Sequence, residues 1–502
     1  MFLRNIEKSS QNLILVLMLA CMGSLSSFAQ TSKGILAGVI KDGTGAIVPN
    51  AALTIRGEQT GETRNLTSGS DGSYRAEALS PEVYTVSASS QGFSTFRAEH
   101  ILVSPSVVTT YNITFAVGSR SDVVTVEANA QTINTDNGQL AGVISSKEIT
   151  ALPVFTLNPL ELSSTVPGVQ TVTGDNQLSN GVNLQVDGAR PRSNNFLLDS
   201  QEINDVGIGG QAFQPNIPDL YQDVTVITSA ASAEYGRSGG GVFNLVTKGG
   251  TNTFHGTAYD RYTGSGLNAV PNILRGTGQR NARFDTHIIG GTAGGYIIKN
   301  KLFAFGGTQF SRTYGTEQIG PITVPDAAGV ATLNSLTGSA ATQVALLNKY
   351  TTNNFYLSQY RLVPGKPTIP VNVGTQPGCA TDPCIVEEAQ FQRPPAPQQQ
   401  PDTQWSYRID FKPHEKDTFY VRYLHDRGSL TPDFFANAAG GALGLDTYQG
   451  GPSELGAGSW THIFTSNVLN EVRASETRIA FLFAPTPATL ANPAYALPTL
   501  NI

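Results

Sequence analysis

The sequence predicts a mainly β chain in three parts: an N-terminal β-sandwich, a central α+β domain, and the first strands of an antiparallel transmembrane β-barrel. Three observations carry this. Between Gly34 and Gly118, short β-rich runs alternate with Gly, Asp and Pro turns, the spacing of a small sandwich. From Phe254 onward, seven longer runs are joined by connections that alternate long and short, the plan of an outer-membrane barrel with turns on one side and loops on the other. Of 502 residues only 14% are charged and 52 are glycine. Mean hydropathy is −0.12, and no apolar run reaches the roughly 18 residues of a membrane-spanning helix.

Residues 1–29 carry Arg4 and Lys8, then the apolar run Leu13 to Gly23, then Ser27-x-Ala29 before Gln30. This is the layout of a secretory signal peptide. The alternative is lipoprotein-type processing at Cys21 in "MLAC", where Met18 stands in place of the usual aliphatic residue. With cleavage after Ala29, Cys379 and Cys384 of "GCATDPC" are the mature chain's only cysteines. An even pair in an exported protein reads as a disulfide. Two free thiols are the alternative, and the pair lacks the second Cys/His pair of a zinc site. The net charge of −6 without a Lys/Arg cluster argues against nucleic acid as a partner.

The sandwich runs include "GVIKDGTGAIVPNAALTI", "SGSDGSYRAEAL" and "YTVSASSQGF". They resemble carboxypeptidase-regulatory, prealbumin-like domains, which implies a carbohydrate-binding-like fold over 30–118. Pro81-Glu82-Val83-Tyr84 departs from the family's Pro-Gly-x-Tyr. Residues 119–137 read as a linker. Within it Asp122, Val123, Val124, Thr125, Val126, Glu127 and Ala128 form an extended, β-branched segment similar to the TonB box of outer-membrane receptors, which the energy-transducing protein TonB grasps in the periplasm. Such a segment offers its backbone for strand addition. The same run reads equally well as the last strand of the sandwich.

From 138 to 248 the chain mixes a helix start at "SSKEITALP" with strands and loops. "VPGV", "DGARPRSNNFLLD" and "AEYGRSGGGVFNLVTKGGTNTFHG" resemble the plug domain of TonB-dependent receptors, in the Oar-like branch whose plug follows a prealbumin-like domain. Ser200, where the branch has Gly, and the Asp223-Val224-Thr225-Val226 run are departures. The resemblance implies a plug–barrel junction at Glu234, Tyr235, Gly236, Gly239, Gly240, Gly241, Gly249 and Gly250. Three glycines before the strand-like "VFNLVTK" are expected to supply φ > 0 and close approach to the barrel wall. A phosphate loop is excluded because no Gly-Lys-Ser/Thr follows at the required spacing. The implied partners are TonB with its inner-membrane energising complex, outer-membrane lipid and an extracellular substrate that the sequence does not identify. No cofactor is implied.

The seven barrel runs, from 249 onward, are Phe254–Tyr262, Phe284–Ile297, Leu302–Arg312, Trp405–Lys412, Thr418–Arg427, Leu455–Phe464 and Val468–Phe481. In "WSYRIDFK", Trp405, Tyr407, Ile409 and Phe411 alternate with Ser406, Arg408, Asp410 and Lys412, the split of a lipid face and a wet face. Receptors of this family close about 22 strands, so the chain is expected to end inside its barrel. No catalytic constellation or metal cluster is present. Asp187 and Asp199 form the most tempting pair, but Asp187-Gly188 is a turn dipeptide. His255 and His287 are expected to be solvated lumen residues. The expected function is a TonB-dependent receptor or transporter and not an enzyme. The other reading is an adhesion or glycan-binding scaffold without transport.

Overall fold

The computed structural model describes residues 33–105, 107–118, 123–127, 138–154, 157–172, 182–207, 209–211, 213, 215–231, 235–270, 283–317, 321–350, 354, 356–392, 396–431, 447–465, 468–480 and 482–491. The leader and its two processing sites lie outside the described residues, as do Asp122, Ala128 and Glu234.

The sandwich is built from β1 (Gly34–Asp42), β2 (Ala52–Gly57), β3 (Thr63–Thr67), β4 (Ser73–Leu79), β5 (Glu82–Ser89), β6 (Thr95–Val103), β7 (Val108–Thr110), β8 (Ile113–Phe115) and β9 (Val123–Glu127). One sheet runs β4-β1-β7 with β8 also on β1, and the other runs β3-β2-β5-β6-β9. The period-2 pattern is the cause: Leu53 and Ile55 of β2 and Tyr84 and Val86 of β5 are buried between the sheets, while their neighbours face out. Part of the segment read as a linker therefore belongs to the sandwich. β9 is the edge strand of the second sheet, in parallel register with β6 from Thr95↔Val123 to Glu99↔Glu127.

The central domain contains β10 (Leu140–Ser145), helix α1 (Ser146–Ala151), β11 (Val169–Thr171), β12 (Leu184–Val186), β13 (Asn195–Leu198), β14 (Gln201–Glu202), β15 (Tyr221–Ser229) and β16 (Val242–Thr247). Ser145 and Glu148 close a capping box at the start of α1. The sheet order is β10-β15-β16-β13-β14. β16, "VFNLVT", is buried at every position, as an interior strand covered on both faces must be. Phe196 and Phe243 stack across it at 5.1 Å.

The remaining elements are β17 (His255–Gly264), β18 (Phe284–Ile298), β19 (Leu302–Glu317), β20 (Ile322–Pro325), α2 (Ala327–Ser335), α3 (Ser339–Tyr350), β21 (Arg361–Leu362), β22 (Ile369–Asn372), β23 (Ile385–Gln392), β24 (Ala396–His414), β25 (Asp417–Leu430), β26 (Thr447–Thr465), β27 (Val468–Ile479) and β28 (Leu482–Pro485). The seven expected runs are the seven consecutive strands β17-β18-β19-β24-β25-β26-β27 of one antiparallel sheet, with β28 added on β26. All but the last strand run longer than expected, because polar stretches such as Ala396–Gln400 continue the ladder beyond the apolar band, while β27 stops at Ile479, short of the expected Phe481. The connection expected over Thr313–Gln404 is accordingly a folded insert. In it β23 pairs with β20, β21 and β22, and a small core under α2 and α3 contains Leu333, Val344 and Cys384.

The outward side of this wall is apolar and exposed, with Ile409, Phe411, Val421, Trp460 and Phe464 among its residues. Aromatics pair along it, as in Trp405–Tyr423 and Phe419–Trp460, which suits a lipid-facing band with interfacial rings. The opposite face is not the wet one the sequence suggests. Ser406, Asp410 and Arg422 are buried because the central domain fills the concave side as a plug. Phe305, Leu424 and Leu455 of the wall join the plug's own hydrophobic core.

Candidate functional site between plug and wall

At the end of β13 the chain turns through Asp199 and Ser200, both with positive φ (49° and 61°), a conformation that L-residues adopt only at a cost. This explains why glycine suits position 200 elsewhere. The turn is pinned: Asp199 N–H donates to Leu245 O at 2.8 Å and Ser200 N–H to Asn244 Oδ1 at 2.9 Å.

The fully buried Asp199 carboxylate accepts from Thr247 N–H at 2.8 Å and Thr247 Oγ1 at 2.9 Å. From the wall it accepts Arg422 Nη1 and Arg408 Nη1 at 3.4 Å. Arg408 also forks onto Asp410, its Nη2 at 2.8 Å and its Nε at 2.9 Å, and lies 4.6 Å from the centre of the Tyr420 ring. Asp199, Arg408 and Arg422 thus form a buried polar lock between plug and wall. Such a pair holds register but adds little net stability over an apolar contact, while losing one partner is expensive.

A second anchor stands beside β17 and β18. Asp219 accepts Lys248 Nζ at 2.6 Å and Thr257 Oγ1 at 2.8 Å, and also Thr292 Oγ1. Burial alone would raise its pKa, but these donors overcome it and hold the carboxyl below its ordinary value. Asp223 is the contrast. It is buried in β15 with its Oδ1 unbonded, and burial, then the charge on Asp199, push its pKa up to about 8.

The junction glycines divide into two groups. None of Gly239, Gly240, Gly241, Gly249 and Gly250 has positive φ, so the expected conformational role is corrected to one of space at the last four, while at Gly239 a Cβ would meet only Ser193 Cβ at an ordinary 3.7 Å. At Gly240 a Cβ would strike Asn194 Oδ1, the oxygen that accepts Gly241 N–H at 2.9 Å. At Gly241 it would lie 2.8 Å from Val186 Cγ2. These contacts are inside the plug, not against the wall. Gly249 and Gly250 make the wall contact: a Cβ at Gly249 would lie 3.0 Å from Asp410 Oδ2, and one at Gly250 would sit 2.5 Å from Gly295 O and 2.6 Å from Ala304 O. Tyr235 is buried with Leu197 and Val242, Gly236 O accepts Asn195 Nδ2 at 2.8 Å, and nothing in the structure requires glycine at 236.

The sandwich sits at the short-turn end of the wall. Asn252 N–H donates to Gln59 O at 3.0 Å, Asn252 Nδ2 to Thr60 O at 2.8 Å, Arg64 Nη1 to Glu415 O, and Lys412 Nζ to Glu62 at 2.8 Å. Burial would raise the Glu62 pKa, but Lys412, Arg64 and Lys33 overcome it and hold the carboxyl at about 2. The departure at Glu82 belongs here. Its carboxylate accepts Gln59 N–H and Thr60 N–H, each at 3.0 Å, and so shapes the loop that docks.

Cys379 and Cys384 are joined, with Cα atoms 5.7 Å apart, in the outer insert. Asp187 is the turn residue expected, with φ 48°, and it does not meet Asp199. His255 stacks on the inward Phe305 at 5.7 Å. His287 pairs with Tyr262 at 4.7 Å and, one residue out of phase with Thr292, lies on the outward face, which corrects its placement in the lumen.

Three family models match the chain: "Outer membrane beta barrel domain" over 246–501, "Carboxypeptidase regulatory-like domain" over 35–116 and "TonB-dependent Receptor Plug Domain" over 134–242. The chain is 25% identical over 320 residues to the TonB-dependent transporter Oar of Myxococcus xanthus, a match that covers 60% of the chain and 29% of that protein. The chain therefore spans less than a third of that relative's length. Among solved structures it is similar to the outer membrane transporter YddB of Escherichia coli (13% identity, 65% of this chain, 37% of that chain, TM-score 0.41). It is also similar to the siderophore receptor PirA of Acinetobacter baumannii (15%, 67%, 44%, TM-score 0.36).

Proposed function

Since the chain belongs to the family of outer membrane β-barrel domains, and carries a TonB-dependent receptor plug and a regulatory-like domain ahead of its barrel strands, we propose that it works as a gated receptor. In this reading it binds an extracellular substrate at its outer face and admits it to the periplasm when TonB, driven by its inner-membrane complex, pulls the segment 122–128. The observation that supports this most is the lock of Asp199 with Arg408 and Arg422. Beside the apolar contacts of Phe305, Leu424 and Leu455, a polar, register-setting lock suits a stopper that must leave and return, because its groups can exchange partners with water, whereas a further apolar contact in its place would resist release. A passive adhesion scaffold has no use for such a stopper, and the reading involves no catalysis.

TonB would hold residues 122–128 mainly through backbone hydrogen bonds along an added strand. In the detergent-solubilised full chain, Val124→Pro is expected to abolish capture of the purified TonB periplasmic domain, since proline removes a donor and cannot sit in a paired strand. Val124→Ala should be mild. Capture by Val124→Pro at the level of the unaltered chain would place the contact elsewhere.

A further inference from the structure

The second sandwich sheet has β9 at one edge and β3 at the other. The β3 edge, with the turn that precedes it, is the part fixed to the wall. Gln59 and Thr60 bond Asn252, Arg64 bonds the Glu415 carbonyl, and Glu62 pairs with Lys412 where both side chains are nearly inaccessible. Ser80 Oγ adds bonds to Glu62 at 2.8 Å and from Lys412 at 3.2 Å. On the other side residues 128–139 connect β9 to β10, which is the edge strand of the plug sheet. β9 therefore lies between two anchored bodies. One route from it runs through backbone ladders β6, β5, β2 and β3 to the wall, and the other runs along the chain into the plug.

We propose that the sandwich is a mechanical clutch: while docked it carries load applied at β9 across its sheet into the wall, and its release is the step that lets the load reach the plug. The wall strand β24 registers both bodies. Arg408 and Lys412 lie on its inward face two residues either side of Asp410, the first holding plug Asp199 and the second holding sandwich Glu62. Hydrogen-bonded strands pulled across the sheet separate one bond at a time, so the β6–β9 ladder and the ionic anchor are the weak points in series with the wall, and both are weaker than a covalent path.

The inference rests on the reading that force arrives from the periplasm, but its test replaces the natural partner with a handle. The full chain, with Cys21 replaced by Ser, is placed in a supported bilayer and pulled through a maleimide handle on Thr125→Cys. Two successive ruptures are expected. The first is short. The second releases the plug chain, on the order of 100 residues at about 3.6 Å each, so roughly 360 Å of extension. Lys412→Met on the wall and Glu62→Gln on the sandwich should each lower the first rupture force by about half, leaving the second unchanged. Arg75→Ala, which breaks an exposed sandwich pair away from the wall, should alter neither. Plug extension with no earlier rupture in the unaltered chain, or a first rupture that neither Lys412→Met nor Glu62→Gln lowers, would overturn the proposal.

Discussion

At Asp199 the plug presents one carboxylate to two guanidinium groups of the wall, whereas at Asp223, two strands across the same sheet, a carboxyl is buried with no ion-pair partner among the described residues. The two residue types are the same and the consequences opposite. Asp199→Asn should destabilise the seated plug by about 3–5 kcal/mol, the usual loss when one member of a buried pair is removed, read as faster hydrogen exchange of the β16 amides. Asp223→Asn should be near neutral or stabilising at pH 7. Because the folded-state pKa of Asp223 lies at about 8 against an ordinary 3.8, the folded state holds a proton that the unfolded state has lost. The unaltered chain should therefore lose stability as pH rises from about 4 to about 8, and Asp223→Asn should flatten that slope in urea midpoints measured across the range. A third residue-scale test is Glu82→Gly, which restores the residue usual in related domains. It removes the acceptor for two backbone N–H groups and should cost the sandwich about 1–3 kcal/mol, with exchange quickened at Gln59 and Thr60.

Individual strands were legible in the sequence wherever one face meets lipid. "WSYRIDFK" alternates because Ile409 and Phe411 face out while Arg408 and Asp410 face the plug, and period 2 reports this without knowledge of partners. What period cannot report is what covers the polar face. The partners of Asp199 lie 209 and 223 residues away, so the lock had no local signature beyond two inward arginines on adjacent strands. Glycine runs were legible as places needing bare backbone, but not which neighbour demands it. Gly250 is the sharpest case, with backbone of both β18 and β19 where a Cβ would be. Backbone gives way less readily than a side chain, so Gly250→Ala should cost about 1–3 kcal/mol and lower the fraction of chain that migrates as folded on an unheated gel.

On the scale of the whole molecule, the wall, plug and sandwich meet along one strand, β24, and the sandwich occupies the short-turn end while the disulfide-closed insert occupies the long-loop end. That polarity accords with the proposed direction, in which ligand would bind at the insert side and the pull would come from the sandwich side, with the plug between. In the proposed mechanism the plug is released by a pull from the sandwich side. Leu245, fully buried in β16, is the reporter. In cells carrying the full chain with Leu245→Cys, labelling by a membrane-impermeant maleimide should rise when TonB is present and energised, and should fall to background when TonB is absent or Val124→Pro is added. Labelling at the same level with and without TonB would rule out release of the plug by TonB.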